Sequence, residues 1–300
     1  MAFEVRIRQT GFFRKKLEIE DIASGLFTVG MHDRFLRFSP VIPAEGFLII
    51  YDPQHIGTGI RMRYDPEETE EVKLSLPAYT GSYDIAALIA IVDGIMKKWQ
   101  SEAAVFESVE YAREDLGRLA DTLNEKTAAC LAKARSNYAD DATLVHGALW
   151  PLMIETEKLR QYGMNHDTAG FADLLHQYQN NDLYWCATHV YLHDDQKSYQ
   201  GVLSITDGYR CIIPLKPAPP IDMIDPISGD ALVCSSYIAR VVEGSSRRPL
   251  AQMEYHKFLD VIRAYRLPKY DACHVVYKAD AQEILKELEK REEMEGKPCW

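Results

Sequence analysis

The sequence predicts an α+β fold made of two mostly antiparallel β-rich lobes, each carrying helices, joined by a helical middle region. Residues 1–110 and 182–300 contain short runs with strand-like alternation or apolar density, punctuated by Gly, Pro and Asp turns. Residues 111–181 instead begin with leucines three and four positions apart among many charges, the period of an amphipathic helix. A chain of 300 residues with 47% hydrophobic and 26% charged residues also has the balance of a folded globular protein. The expected organisation is therefore an N-terminal lobe over 1–110, a helical connector over 111–181 and a C-terminal lobe over 182–300.

In chain order, Phe3-Val5-Ile7 alternates with Glu4, Arg6 and Arg8, which predicts a first strand with one buried face. An amphipathic piece around Leu17 to Phe27 predicts a short helix. Gly46 then introduces the apolar run Phe47 to Tyr51, closed by Asp52-Pro53, and turns at Gly57-Thr58-Gly59 and Asp65-Pro66 separate two further alternating segments, 60–64 and 72–76. The region reads as an antiparallel meander. Pro77 ends it, Thr80 or Ser82 is placed to cap a new helix, and residues 84–99 carry apolar side chains at helical spacing.

Val105-Phe106 predicts a short strand, and 110–135 a helix built on Leu116, Leu119 and Leu123. The rest of the middle, to about 180, is expected to be mostly helical, with Trp150-Pro151 as a kink or break. Strand character resumes in the aromatic and β-branched run 183–192. Segments 201–206 and 209–214 flank Asp207-Gly208, the strongest hairpin signal in the chain. A proline-rich loop over 217–229 leads to extended segments at 231–234 and 237–242. A helix is expected at 251–265, a strand at 273–277 and a charged helix at 280–293. A shift of 170 residues lays Leu88 on Phe258, Val92 on Ile262 and Val105 on Val275, which raises the expectation of a degenerate internal repeat.

The formal net charge is −11, and such an acidic chain repels phosphate backbones unless a local basic patch intervenes. The short runs Arg14-Lys15-Lys16 and Arg247-Arg248 read as solvated surface, so no nucleic-acid partner is expected. The first residues alternate charge with apolar side chains, unlike a signal peptide, and no apolar run approaches the roughly twenty residues that span a bilayer. Six scattered cysteines without a Cys-x-x-Cys pair read as reduced thiols. A cytoplasmic protein without membrane contact is expected.

The polar cluster that draws attention is His189, His193, Asp194 and Asp195, with His166-Asp167 upstream. On a helix, two histidines four residues apart share a face and can share a zinc ion. Here the surrounding residues are strand-like, and four residues of strand cover about 13 Å, too far for one ion. Val190 also stands where His-Glu-x-x-His would place its general base. The candidate binding residues are thus His166, Asp167, His189, His193 and Asp194, with no metal and no cofactor expected. Gly25 to Gly30 has phosphate-loop spacing, but Met31-His32 replaces the lysine and hydroxyl residue that would hold phosphate and magnesium. No Gly-x-Ser-x-Gly elbow occurs. The leading expectation is a non-catalytic binding protein for a protein or small-molecule ligand. Its rival is a hydrolase or transferase using His189 and His193.

Overall fold

The computed structural model of the chain describes residues 2–10, 14–43, 46–65, 67, 70–137, 141–192, 198–221, 223–226 and 229–295. The fold is α+β. It divides into two compact units, Met1–Asn181 and Asp182–Trp300. No helix among the described residues is long and apolar enough to cross a membrane.

In the first unit, strand β1 (Ala2–Arg8) is followed by helix α1 (Ile19–Ala23), then β2 (Thr28–His32), β3 (Phe38–Ser39), β4 (Gly46–Tyr51), β5 (Ile60–Tyr64) and β6 (Glu71–Pro77). Helix α2 (Ser82–Trp99), β7 (Ala103–Phe106), β8 (Val109–Ala112) and α3 (Leu116–Ala132) come next. Strands β9 (Ala142–His146) and β10 (Pro151–Glu155) and helices α4 (Thr156–Met164) and α5 (Thr168–Gln179) complete it. Eight strands form one antiparallel sheet in the order β3-β2-β4-β5-β6-β1-β7-β8.

The alternation seen in the sequence sends Phe3, Val5, Ile7, Leu48, Ile50, Met62, Leu74 and Leu76 to one face. There they pack with Ile85, Leu88, Val92, Ile95 and Trp99 of α2 and Leu119 and Leu123 of α3. Each such fully buried aliphatic side chain contributes about 1.5–3 kcal/mol, so this face fixes the register of the whole sheet. The opposite face is left to polar and charged residues over most of its width.

The second unit holds β11 (Tyr184–Trp185), β12 (Thr188–Leu192), β13 (Tyr199–Thr206), β14 (Arg210–Pro214), β15 (Cys234–Val242), β16 (Pro249–Glu254), α6 (Tyr255–Val261), β17 (His274–Lys278) and α7 (Ala281–Glu295). A four-stranded sheet runs β12-β13-β15-β16 and a three-stranded sheet β11-β14-β17. Leu203, Ile205 and Val241 of the first sheet share one core with Cys211, Ile213 and Val275 of the second and with Phe258 and Ile284 of the helices. The pairs β13–β15 and β11–β14 are parallel, the rest antiparallel.

Several local expectations are corrected. Residues 142–155 are a β-hairpin, not helix, and Pro151 opens its second strand, where a missing N–H is tolerated, instead of kinking a helix. Residues 183–192 break at Cys186-Ala187 into two strands of different sheets. The Asp207-Gly208 turn exists, with Gly208 at φ 78°, but β13 and β14 part into separate sheets after it. Asp207 Oδ1 instead accepts the Ala281 N–H at the start of α7, 2.8 Å away. Residues 251–254 extend β16 before α6 begins.

Neither Thr80 nor Ser82 caps α2. Gly81 is the N-cap, at a point where a Cβ would collide with Ala172 of α5, and the Thr80 hydroxyl turns inward to Asp84. The expected repeat sets the 18 residues of α2 against the seven of α6. It also sets β7, beside β1 in the eight-stranded sheet, against β17, beside β14 in a three-stranded one. The two segments share a hydrophobic pattern, not an architecture.

Candidate functional site

Of the residues singled out in the sequence, His166 and Asp167 fall in the first unit, His189 falls in the second, and His193 and Asp194 lie outside the described residues. Asp167 is the N-cap of α5, its Oδ1 accepting the Gly170 N–H at 2.8 Å. His166 is the exposed hinge before it, at φ 52°. Both have local work in joining α4 to α5. His189 is half-buried on the edge strand β12, opposite Val202.

A different constellation emerges on the open face of the eight-stranded sheet. Phe47 of β4 pairs with Arg63 of β5. The β5–β6 ladder pairs Arg61 with Ser75 and Met62 with Leu74, its last pair before Arg63 and Lys73. Lys73 in turn pairs with Arg6 of β1. Phe47–Arg63 and Lys73–Arg6 are thus two cross-strand pairs on the open face, and Arg63, Lys73 and Arg6 make up its cationic row.

Like charges directly opposite one another destabilise a sheet, and Lys73 and Arg6 are such a pair. Its carboxylates lie to either side: Glu4 is 3.7 Å from Arg6, and Glu71 is 3.3 Å from Lys73 but also bonds Arg8 at 2.7 Å. Arg63 is exposed and has no ion pair among the described residues. Phe47, at the end of the row, is 70% exposed.

Next to this row the open face becomes covered. Ile49, Tyr51, Ile56 and Ala148 form a small apolar cluster with Phe38, whose ring meets Tyr51 edge-on at 5.1 Å. The turn between β9 and β10 pins it: Leu149 O accepts the Phe38 N–H at 2.8 Å, and His32 Nε2 lies 2.8 Å from Ala148 O. Burial lowers the His32 pKa, opposed by that carbonyl and assisted by nearby Arg61. A neutral ring that donates from Nε2 satisfies the geometry. Arg61 stands at the border of the covered zone, between Ile49 and Ser75.

The β4–β5 loop that rims this zone is held from below. Asp84, in the first turn of α2, is buried and accepts the Thr58 N–H at 2.7 Å, the Gly59 N–H at 3.0 Å and the Thr58 and Thr80 hydroxyls at 3.0 Å. Burial raises its carboxyl pKa, and these hydrogen bonds pull the other way. Gly57 is required here, because a Cβ would collide with the Asp84 carboxylate. Gln179 clamps the same loop, donating to Gly57 O at 2.6 Å while its Oε1 accepts the Leu149 N–H at 2.8 Å. On the loop's outer side His55 Nδ1 sits 3.0 Å from Asp52 Oδ2, and the ring packs 4.6 Å from Tyr83.

A sequence model of the family described as Domain of unknown function (DUF4299) matches residues 2–288. The chain belongs to the DUF4299 family. No curated protein and no solved structure matches it. The matched span runs through both units, so the cationic row and its covered border lie within the DUF4299 domain.

In the second unit of this DUF4299 chain, Asp271 Oδ1 accepts from His274 Nδ1 at 2.8 Å and from the Cys273 and His274 N–H groups at 2.9 Å. The His274 ring lies 4.7 Å from that of Trp185. Asp271 and His274 are buried. The pair fixes the turn that leads into β17. No group of three metal-ligating side chains occurs among the described residues.

Linear reading missed the cationic row because its members are separated by 57 and 10 positions in the chain. The available signal was the outward set of each alternating strand: Arg6 and Arg8 in β1, Arg61 and Arg63 in β5, Lys73 in β6.

Proposed function

We propose that this protein is a non-catalytic, cytosolic binding protein that grips an acidic segment of a partner protein on the open face of its eight-stranded sheet. The row Phe47-Arg63-Lys73-Arg6 carries the reading. The opposed Lys73–Arg6 pair weakens the sheet that bears it, and an incoming carboxylate series removes that repulsion. The −11 net charge favours a short acidic segment over a long polyanion such as nucleic acid, which the remainder of the surface repels. Exposed Phe47 adds an apolar contact at one end.

The spacing also suits a helix. Side chains three or four residues apart on a helix stand about 5–6 Å from one another, close to the strand separation of about 4.8 Å. A helix laid across the strands with one apolar residue followed by glutamates at such steps matches the row in order and pitch.

The test is fluorescence anisotropy with a labelled, helix-forming peptide carrying one leucine and three glutamates at these steps. Saturable binding that weakens as salt rises from 50 to 300 mM is the expected result, as for contacts screened over about 10 Å at 0.1 M ionic strength. Equal binding of the glutamine version, or tighter binding of a single-stranded oligonucleotide, overturns the proposal.

A further inference from the structure

The outer side of the β4–β5 loop carries two histidines, and they hold the chain in different ways. His176 of α5 is half-buried, and its Nδ1 lies 2.9 Å from the Ile56 N. A backbone N–H only donates, so Nδ1 is the acceptor, and the neutral ring then carries its proton on Nε2. The Asn180 amide stands 3.1 Å from Nε2 and, turned with its oxygen inward, accepts that proton. With one nitrogen accepting and the other donating, neither is free to ligate a metal. The neutral ring is fully satisfied. The imidazolium is not, because a proton on Nδ1 sets two donors against each other.

Each contact of the loop has its own holder. His176 takes the Ile56 N–H, Asp84 takes those of Thr58 and Gly59, and Gln179 and the Ala148 N–H hold Gly57 O. Ile56 is buried in the apolar cluster with Ile49, Tyr51 and Ala148, at the border of the open face. Around the ring, Asp173 lies one turn back on α5, where Tyr83 of α2 donates to its Oδ1 at 2.5 Å. His55 of the loop, its ring centre 6.3 Å from that of His176, is paired with Asp52. Among the described residues no lysine or arginine pairs with Asp52 or Asp173. A released imidazolium therefore has carboxylates near it, and a second charge on His55 adds repulsion between the two rings.

We propose that His176 is a pH-sensitive latch of the β4–β5 loop. The neutral ring holds the Ile56 N–H. Acid, in the range between pH 8 and 5 where imidazoles gain charge, releases that amide and loosens the cluster bordering the open face. The sign is fixed by the geometry: the contact belongs to the neutral form and is lost as pH falls. The latch does not depend on the binding reading above.

The experiment is amide hydrogen exchange of Ile56, Thr58 and Gly59 in the full chain at about pH 7.5 and about pH 5.5, corrected for the intrinsic rate. The His176 tautomer is read in parallel from long-range proton–nitrogen couplings by NMR. Ile56 is expected to lose about 3- to 10-fold in protection on acidification, the worth of one hydrogen bond, while Thr58 and Gly59 keep theirs. The ring is expected to carry its proton on Nε2 at the higher pH, a result that needs no variant to fold. His176→Asn places a non-titrating oxygen near the position of Nδ1 and is expected to abolish the pH dependence, whereas His55→Gln is expected to keep it. Ile56 protection that is level with pH, a proton on Nδ1, or the same acid loss in His176→Asn overturns the latch. Disappearance of the pH dependence in His55→Gln overturns its assignment to His176. Equal losses at all three amides mark general unfolding and overturn a local device.

Discussion

Replacing Asp84 with alanine probes the device that shapes the loop beside the proposed surface. In the folded chain its two oxygens receive the Thr58 and Gly59 N–H groups and the Thr58 and Thr80 hydroxyls. Alanine leaves both backbone donors buried without an acceptor, at about 1–3 kcal/mol each. The two hydroxyls are 3.0 Å apart and retain one another, so their share is small. The cavity left by the carboxylate adds to the loss. A destabilisation of about 3–6 kcal/mol follows, confined to the first unit. Because two units make a single unfolding free energy ill-defined, the assay is urea-dependent hydrogen exchange over 46–64, read separately from 199–214. A loss below about 1 kcal/mol in the first segment refutes the reasoning, since it means that water or a neighbour replaces the carboxylate without cost.

The pH dependence of the same site has a defined sign. Burial raises the folded-state pKa of Asp84 above its ordinary 3.8, so the folded chain holds the proton more tightly than the unfolded one. Stability then falls as pH rises from about 4 through the folded value and is level above it, with a slope of at most about 1.4 kcal/mol per pH unit. Asp84→Asn removes that slope, and parallel pH profiles of the variant and the wild type count against it. Gln179→Leu leaves the Leu149 N–H without its side-chain acceptor and Gly57 O with only the Ala148 N–H. It lowers first-unit stability by about 2–3 kcal/mol in the same exchange assay, and a thermally unchanged variant contradicts the clamp.

The two-residue periods of β1, β5 and β6 and the helical period of α2 were legible because each element buries one face against the same core, and that burial decides both the pattern and the register. The 142–155 hairpin was not legible. Its strands are five residues long, buried on most positions, and show no alternation to separate them from a helix. The Asp207-Gly208 signal described the turn correctly but not the partners. β13 finds its neighbours in β12 and β15 and β14 its own in β11 and β17, a choice made by the shared core of the second unit. For the site, the histidines and aspartates drew attention through proximity in the chain. The cationic row is built from residues close only across strands, and Arg61, beside Ile49, is half-buried with its Nε covered where Arg63 is exposed. No spacing in the sequence encodes that difference.

Lys73→Glu tests the central claim most directly, because it converts the opposed like-charge pair with Arg6 into an opposite one. That conversion is worth about 0.2–1 kcal/mol on a sheet, against the loss of an exposed contact with Glu71, and its replacement by a neighbouring like charge, together worth about 1 kcal/mol. The variant is predicted to stay within about 1 kcal/mol of the wild type in stability, while its affinity for the acidic peptide falls at least about tenfold. A variant that binds the peptide as tightly as the wild type, or one that loses stability while binding is kept, contradicts the assignment of this face to an acidic partner.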